Sequence, residues 1–596
     1  MANVSDVNEL TGGIQWCPCI EETKRWVSSS PLNANRDQAI DILSMLGLLA
    51  IVIAVTNVGK QRHWPVPHAI LTLGVGVIAG LVLGIVNGDT HDFRRLDEIA
   101  ANQFLLIWLA PIMYAEGYDL RTKDFFDNIV RILVHAFLGT IISAVVVAFI
   151  VFYIPPLLGV VEAEQMNLAE CLTFGSLISA TDPVTTLAIF KEQRLAERGL
   201  AHLYYSVLGE SIFNDAVGIT LFASFSKLVT HGKTTIGMEE VITMTIEFSW
   251  TFVASMLIGF AFGMAMPLVL KHTPLEPLGH HDHDERENKD DKFEDLSESD
   301  SEEFRFNVPE VGLAVLIAML PYLVAEALDF SGIVAILFAG ITSRYYAHHN
   351  LSKATRNIFL PILELFAQLC ETYVFIILGL GVVLYQGHYQ APLVLAAIVG
   401  CLIGRAVHVY PFSWTINRCS SATPLQRNEQ HMMWFAGLRG GIAFICAFSF
   451  PETENSKHRY TVICITIVIV GGSLLLLGWP TVTVMRWLDL QPPDQATEAV
   501  HSKSFDRRNS ENSKLTGVSS NVSLRRFLTS PSLQSEGAEP LLTSPRLSSR
   551  GAGLFKALDR QLRRVLMTRE ARVQTNRDRF LEVDRRNRCG SSGSIG

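Results

Sequence analysis

Residues 209–222 read GESIFNDAVGITLF, and this stretch decides the fold because it sets Glu210, Asn214 and Asp215 inside an apolar run long enough to cross a bilayer. At helical pitch Glu210 and Asn214 stand four apart, as do Ser211 and Asp215, so the four side chains share one stripe. Charge at bilayer depth is costly, so such residues face a partner, a cavity or an ion path. A plain hydrogen-bonding seam between helices is the bland alternative.

A second run tells against that alternative. Residues 172–190, LTFGSLISATDPVTTLAIF, carry Asp182 between Thr181 and Pro183. Proline lacks an amide donor and clashes with the preceding turn, which predicts an interruption near Ser179–Pro183. Irregular backbone at membrane depth is tolerated where protein buries it or where it lines an aqueous cavity. Carbonyls, a threonine hydroxyl and Asp182 facing Ser211 and Asp215 supply the hard oxygen ligands a small cation needs.

Composition points the same way. The chain has 596 residues, of which 49% are hydrophobic and 18% charged, with a mean hydropathy of +0.28. That excludes an ordinary soluble protein. The net charge of -9 says little about partners, because the acid excess is concentrated in one loop.

SATDPVTTLAIF, then GESIFNDAVGITLF, then FAGLRGGIAF form an in-order set over about residues 38–487. This set resembles the sodium/proton exchangers of the cation/proton antiporter superfamily. QHMMWFAGLRGGIAF and LISATDPVTTLAIF most resemble their eukaryotic organellar branch. Within APIMYAEGY the family's double-proline motif is matched by Pro111, with Ala110 and Glu116 as departures.

The predicted fold is an all-α polytopic membrane protein. Thirteen spans are expected, at about 38–58, 67–87, 102–118, 128–154, 168–190, 201–229, 240–270, 308–327, 331–347, 357–386, 391–416, 430–450 and 459–487. Twelve Lys and Arg fall in one set of alternate loops (Lys60, Arg62, Arg121, Lys123, Lys191, Arg194, Arg198, Arg344, Lys353, Arg356, Arg418, Arg427). Five fall in the other (Arg94, Arg95, Lys233, Lys457, Arg459). Basic residues stay cytoplasmic in short loops, so residues 1–37 are expected outside or in a lumen and the C-terminal tail in the cytosol. No cleavable signal peptide is expected.

Residues 273–306 form an acidic loop containing His280, His281 and His283, expected to be a disordered linker. The loop divides two six-span halves joined by span seven. Span five, with Asp182, corresponds by count to span twelve, with Gly437–Gly441. Interrupted segments at matching places in halves of opposite topology are the pattern of inverted repeats.

Residues 488–550 read as a Ser/Thr-rich disordered linker with two basophilic kinase-like motifs. Residues 551–596 form a basic tail in which Leu554, Phe555, Leu558, Leu562, Val565 and Leu566 recur at helical spacing among arginines. Such a helix suits a calmodulin-like partner or anionic lipid, with a solvated helix or tail self-contact as the bland alternative. The resemblance adds a calcineurin-B-like protein as candidate partner and implies a homodimer.

The resemblance also implies roles. Asp215 would carry the proton and the cation in turn, with Thr181, Asp182 and Ser211 completing Na+ coordination. Asn214 stands where electrogenic relatives place a second acid, which implies one proton per cation and electroneutral antiport by alternating access. Glu210 is expected to pair with Arg439 or Arg405, because an unpaired membrane arginine is costly. Glu326 and Glu371 resemble family positions linked to transport and regulation, and structural pairing accounts for them equally well. His135, His202 and His408 can tune a pH response or serve as packing residues.

No nucleotide loop, hydrolase metal spacing or nucleophile elbow stands in the sequence. The expectation is therefore a transporter and not an enzyme, with no cofactor beyond the transported Na+ and H+, no nucleic-acid partner and a bilayer around it. A cation channel or a transport-inactive receptor are the competing classes. K+ or Li+ can replace Na+ in the same oxygen set, and the membrane is expected to be an endosomal or Golgi-type organelle or the plasma membrane.

Overall fold

The computed structural model describes residues 31–62, 64, 66–87, 109–120, 122–160, 165–182, 184–195, 199–232, 237–273, 308–385, 389–419, 423–453, 458–490, 559 and 561–567. The expectations for residues 1–30, Arg94, Arg95, Lys233, Lys457, the body of the acidic loop and the Ser/Thr-rich linker lie outside them.

Two compact units are distinguished, residues 1–65 and 66–596. The first contributes helix α1 (Pro31–Gln61), whose apolar part, Leu43–Gln61, can span a membrane. The second begins with α2 (His68–Asn87), α3 (Leu109–Asp119) and α4 (Ile129–Leu157), with a wider π-type turn at Val134–Gly139 inside α4. Then come α5 (Leu168–Ser179), α6 (Val184–Glu192), α7 (Ala201–Thr230) and α8 (Met238–His272). The later half holds α9 (Val308–Ala327), α10 (Gly332–Tyr346), α11 (Lys353–Leu384) and α12 (Ala391–Cys419). It closes with α13 (Arg427–Phe435), α14 (Gly441–Phe448), α15 (Arg459–Gly478) and α16 (Thr481–Trp487).

Among the described residues nine helices are long and apolar enough to cross a membrane. Their outward faces carry Ile85, Trp250, Leu257 and Leu316 exposed, while Ser, Thr, Asn, Asp and Glu side chains are buried inside. This inversion of the soluble pattern is what a lipid solvent selects, since apolar side chains lose nothing by facing lipid.

The fold brings helices close where small residues allow it. A Cβ on Gly117 of α3 would lie 2.6 Å from the Leu337 carbonyl oxygen of α10, and one on Gly340 of α10 would lie 2.8 Å from that of Tyr114. The two backbones therefore touch, which fixes the helix that carries Glu116.

Both predicted interruptions are present. The first helix stops at Ser179 and resumes at Val184, and the second stops at Phe435 and resumes at Gly441. The third span is described only from Leu109, and the acid-bearing span runs unbroken from Ala201 to Thr230.

Candidate cation and proton site

The unwound segments meet each other and α7. The Asp182 backbone N–H donates to the Leu438 carbonyl at 3.0 Å, tying one interruption to the other. From α7, the Ser211 hydroxyl donates to the Thr181 carbonyl. Asn214 Nδ2 donates to Thr181 Oγ1 at 2.9 Å and reaches the Ser179 carbonyl at 3.3 Å, while the Thr140 hydroxyl donates to Asn214 Oδ1. Asn214 thus spends both ends of its amide on holding the unwound chain in place.

Helix breakage leaves the last carbonyls of α5 without intrahelical donors. Arg439 supplies them, donating through Nη1 to Ser179 O at 2.7 Å and Ala180 O at 3.4 Å. A cation at a helix C-terminus is also favoured by the helix dipole. Arg439 is therefore a cap on the broken helix.

Glu210 pairs with Arg405, the other of its two expected partners. Arg405 Nη1 and Nη2 donate to Glu210 Oε1 and Oε2, the latter at 3.1 Å, and Nη2 also donates to the Met433 carbonyl at 2.9 Å. The fork-on-fork geometry satisfies a buried carboxylate. A Cβ on Gly437 would come within 2.7 Å of Arg405 Nε, so glycine there makes room for the guanidinium. His408 Nε2 lies 3.7 Å from Glu210 Oε1, and His135 closes a buried triad whose ligand atoms lie within 4.8 Å of one another. The triad has metal-ligand chemistry, but the guanidinium already neutralises the carboxylate and opposes a second cation there.

Asp215 faces acids. It is 4% exposed, and the charges set against it are Glu116 and Asp182. Glu371 faces Asp182 and Glu116 in turn. Asp182, Glu116 and Glu371 are half-buried as residues, and Glu116 Oε2 is itself buried. Four carboxylates gathered in this way repel one another unless protons or cations intervene. Asp215, Asp182, Thr181 and Ser211 come together as an oxygen-rich site, with Asn214 behind them.

A family model described as "Sodium/hydrogen exchanger, transmembrane" matches residues 36–286 and 302–483. The chain belongs to this family of sodium/hydrogen exchangers. It is 33% identical over 453 residues to human sodium/hydrogen exchanger 8, covering 75% of this chain and 71% of that protein. Rat sodium/hydrogen exchanger 9 is 31% identical over 393 residues, covering 65% of this chain and 55% of that one. Among solved structures, the sodium proton antiporter MjNhaP1 from Methanocaldococcus jannaschii shares the fold, with a TM-score of 0.54 at 17% identity over 76% of this chain and 99% of that one.

In this exchanger the sequence reading missed Glu116 as a member of the acid cluster. The signal was present, since Glu116 is a carboxylate in an apolar span, but it had been read only as a departure from a motif. Its Oε2 has no hydrogen-bond partner among the described residues. Glu371 and Glu326, for which the sequence leaves a transport role and structural pairing equally open, are separated by the structure. Glu371 joins the acids, whereas Glu326 accepts the Gly332 backbone N–H at 2.9 Å, capping the start of α10.

The exchanger's basic tail is described at residues 559 and 561–567. Lys271 Nζ donates to Val565 O at 2.6 Å and Asn350 Nδ2 to Leu566 O at 2.7 Å, so groups at the ends of α8 and α10 take up the tail helix's last carbonyls. Leu566 and Met567 are buried and Arg563 stacks over the Tyr345 ring, 4.5 Å from its centroid. Val565, expected on the apolar stripe, is exposed. This docking on the transmembrane helices is a contact the sequence did not predict.

Proposed function

We propose that this chain exchanges Na+ for H+ electroneutrally by alternating access, with Asp215 as the group that holds either ion. The carrying observation is the placement of Asp215 against Glu116 and Asp182, at the crossing of two interrupted helices. Burial disfavours a charged carboxylate and a bound cation favours it, so proton release is linked to cation capture. Asp182, the Thr181 and Ser211 oxygens and Glu116 complete the oxygen set for Na+, with Li+ and K+ as competing cargo. Arg405 and Arg439 are committed to Glu210 and to the α5 carbonyls.

One proton for one Na+ leaves no net charge to move through the membrane potential, which would otherwise contribute about 2.3 kcal/mol per charge per 100 mV. Asn214 supports this stoichiometry, because an amide bound at both ends has no proton to exchange. The matching interruptions support inverted six-helix repeats within thirteen spans. Loop charge supports a cytosolic tail, and the family resemblance carries the expectation of an organellar or plasma membrane and a homodimer. The tail's docking segment is where a calcineurin-B-like or calmodulin-like protein, or anionic lipid, would compete.

Purified protein in vesicles, with the potential clamped at zero, tests the reading. A Na+ gradient should drive proton movement of opposite sign that persists at zero potential. Na+ current without proton movement would replace the exchanger reading with a channel, and absence of both fluxes with a receptor.

A further inference from the structure

Outside the acid cluster, two buried glutamates occupy equivalent places in the interrupted helices. Glu170 is the third residue of α5, and its Oε2 accepts the Asn167 backbone N–H at 2.7 Å. Glu429 is the third residue of α13, and its Oε2 accepts the Gln426 N–H at 2.9 Å. Each closes the first turn of a half-helix as a capping glutamate.

Each also pairs with a histidine from the other half of the chain. His202, at the start of α7, sets Nε2 3.1 Å from Glu429 Oε2. His458, which caps α15, sets Nδ1 3.0 Å from Glu170 Oε1. The exchange is reciprocal. The helix after the first interruption clasps the start of the second interrupted helix, and the helix after the second interruption clasps the start of the first. Glu170 stands at the start of α5 and His202 follows α6, so the two clasps flank the first interrupted span at its two ends.

We propose that His202 and His458 are positioning residues that let exchange respond to pH separately on each face of the membrane. Histidine changes charge in the physiological range, and each pair becomes an ion pair only when its imidazole is protonated. The histidine side chains are 12% and 16% exposed against 4% and 1% for Glu429 and Glu170, so the imidazole is the more accessible member of each pair. Acidifying one face tightens the clasp on that face and fixes the half-helix whose far end forms the site. Among the described residues, His202 pairs with Glu429, which also faces the Arg131 charge, and Arg131 donates to Ser206 one turn along α7 at 3.3 Å. Among the described residues, His458 pairs with Glu170 and is followed in sequence by Arg459.

The proposal rests on the exchanger reading and on the sidedness given by loop charge, and its test separates their failures. In oriented vesicles with bath and lumen pH set independently, His202→Gln should shift the cytosolic pH profile by about half a unit or more and leave the opposite profile in place. His458→Gln should do the reverse. His202→Lys, charged throughout, should hold the cytosolic clasp closed and leave only the pH dependence that proton competition at Asp215 imposes, while keeping the maximal rate. Either Gln variant moving both profiles, neither, or the wrong one overturns the proposal. A second measurement needs no transport. In a double-mutant cycle on thermal unfolding of the full chain, His202–Glu429 coupling should be several-fold larger at about pH 6 than at about pH 8. Equal coupling at both pH values overturns the proposal whether or not the protein exchanges ions.

Discussion

Asp182 and Gly440 are in direct contact where the two interrupted helices cross, so closely that a Cβ on Gly440 would occupy the space of the Asp182 Cβ. Gly440 has φ -110° and ψ 179°, extended backbone open to any residue, so glycine is required here by space alone. Gly440→Ala should push Asp182 off its position, at an overpacking cost of about 1–3 kcal/mol. Exchange should fall tenfold or more, beyond what the loss of folded protein explains. Flux normalised to folded protein checks this, and wild-type flux from the alanine variant would mean that the crossing tolerates displacement of Asp182.

The Glu210–Arg405 pair is buried and bidentate, so removing one partner strands the other charge. Glu210→Gln should destabilise the protein by about 3–5 kcal/mol, as should Arg405→Met, and the double variant should recover part of that loss. Thermal unfolding in detergent measures it. Unchanged stability with lost Na+ affinity would instead move Glu210 into the ion site.

His348 lies in the turn after α10, where Tyr118 Oη approaches Nδ1 at 2.9 Å and Arg344 Nη1 lies 3.1 Å from the same atom. Burial, then the Arg344 charge, push its imidazole down to about 2. The folded form therefore takes up a proton at lower pH than the unfolded form. The stability contribution is full above about pH 6.5 and is lost as pH falls below it, with a slope approaching about 1.4 kcal/mol per unit. His348→Gln should reduce the acid slope of the melting temperature, and an unchanged slope would show that the imidazole is free to protonate in the fold.

Docking of the tail depends on Leu566 and on the Asn350 and Lys271 donors that hold its last carbonyls. Leu566→Asp should release residues 561–567, raising their amide exchange and tail proteolysis several-fold while the spans stay protected. Protection unchanged from wild type would mean that the tail is held elsewhere.

Much of this was legible in the sequence because its physics is local. Pro183 predicts the break after Ser179, and the spacing of Glu210, Ser211, Asn214 and Asp215 predicts their shared stripe on α7. What was not legible depends on long-range packing. The choice of Arg405 over Arg439 for Glu210 is made by tertiary packing, since both arginines lie in apolar spans and local sequence treats them alike. Glu116 joins the acids because Gly117 and Gly340 let α3 approach α10, a contact between residues 223 positions apart. His458–Glu170 and His202–Glu429 pair across separations of 288 and 227 residues, for which no local pattern exists.

Competition at Asp215 is the central claim, and Na+-dependent exchange measured across pH tests it most directly. With Asp215 shared between the two ions, the half-saturating Na+ concentration should rise about tenfold for each unit of acidification below the site's titration, with the maximal rate unchanged, and Asp215→Asn should abolish exchange in a folded protein. A Na+ affinity indifferent to pH, or coupled exchange surviving in Asp215→Asn, would contradict the account.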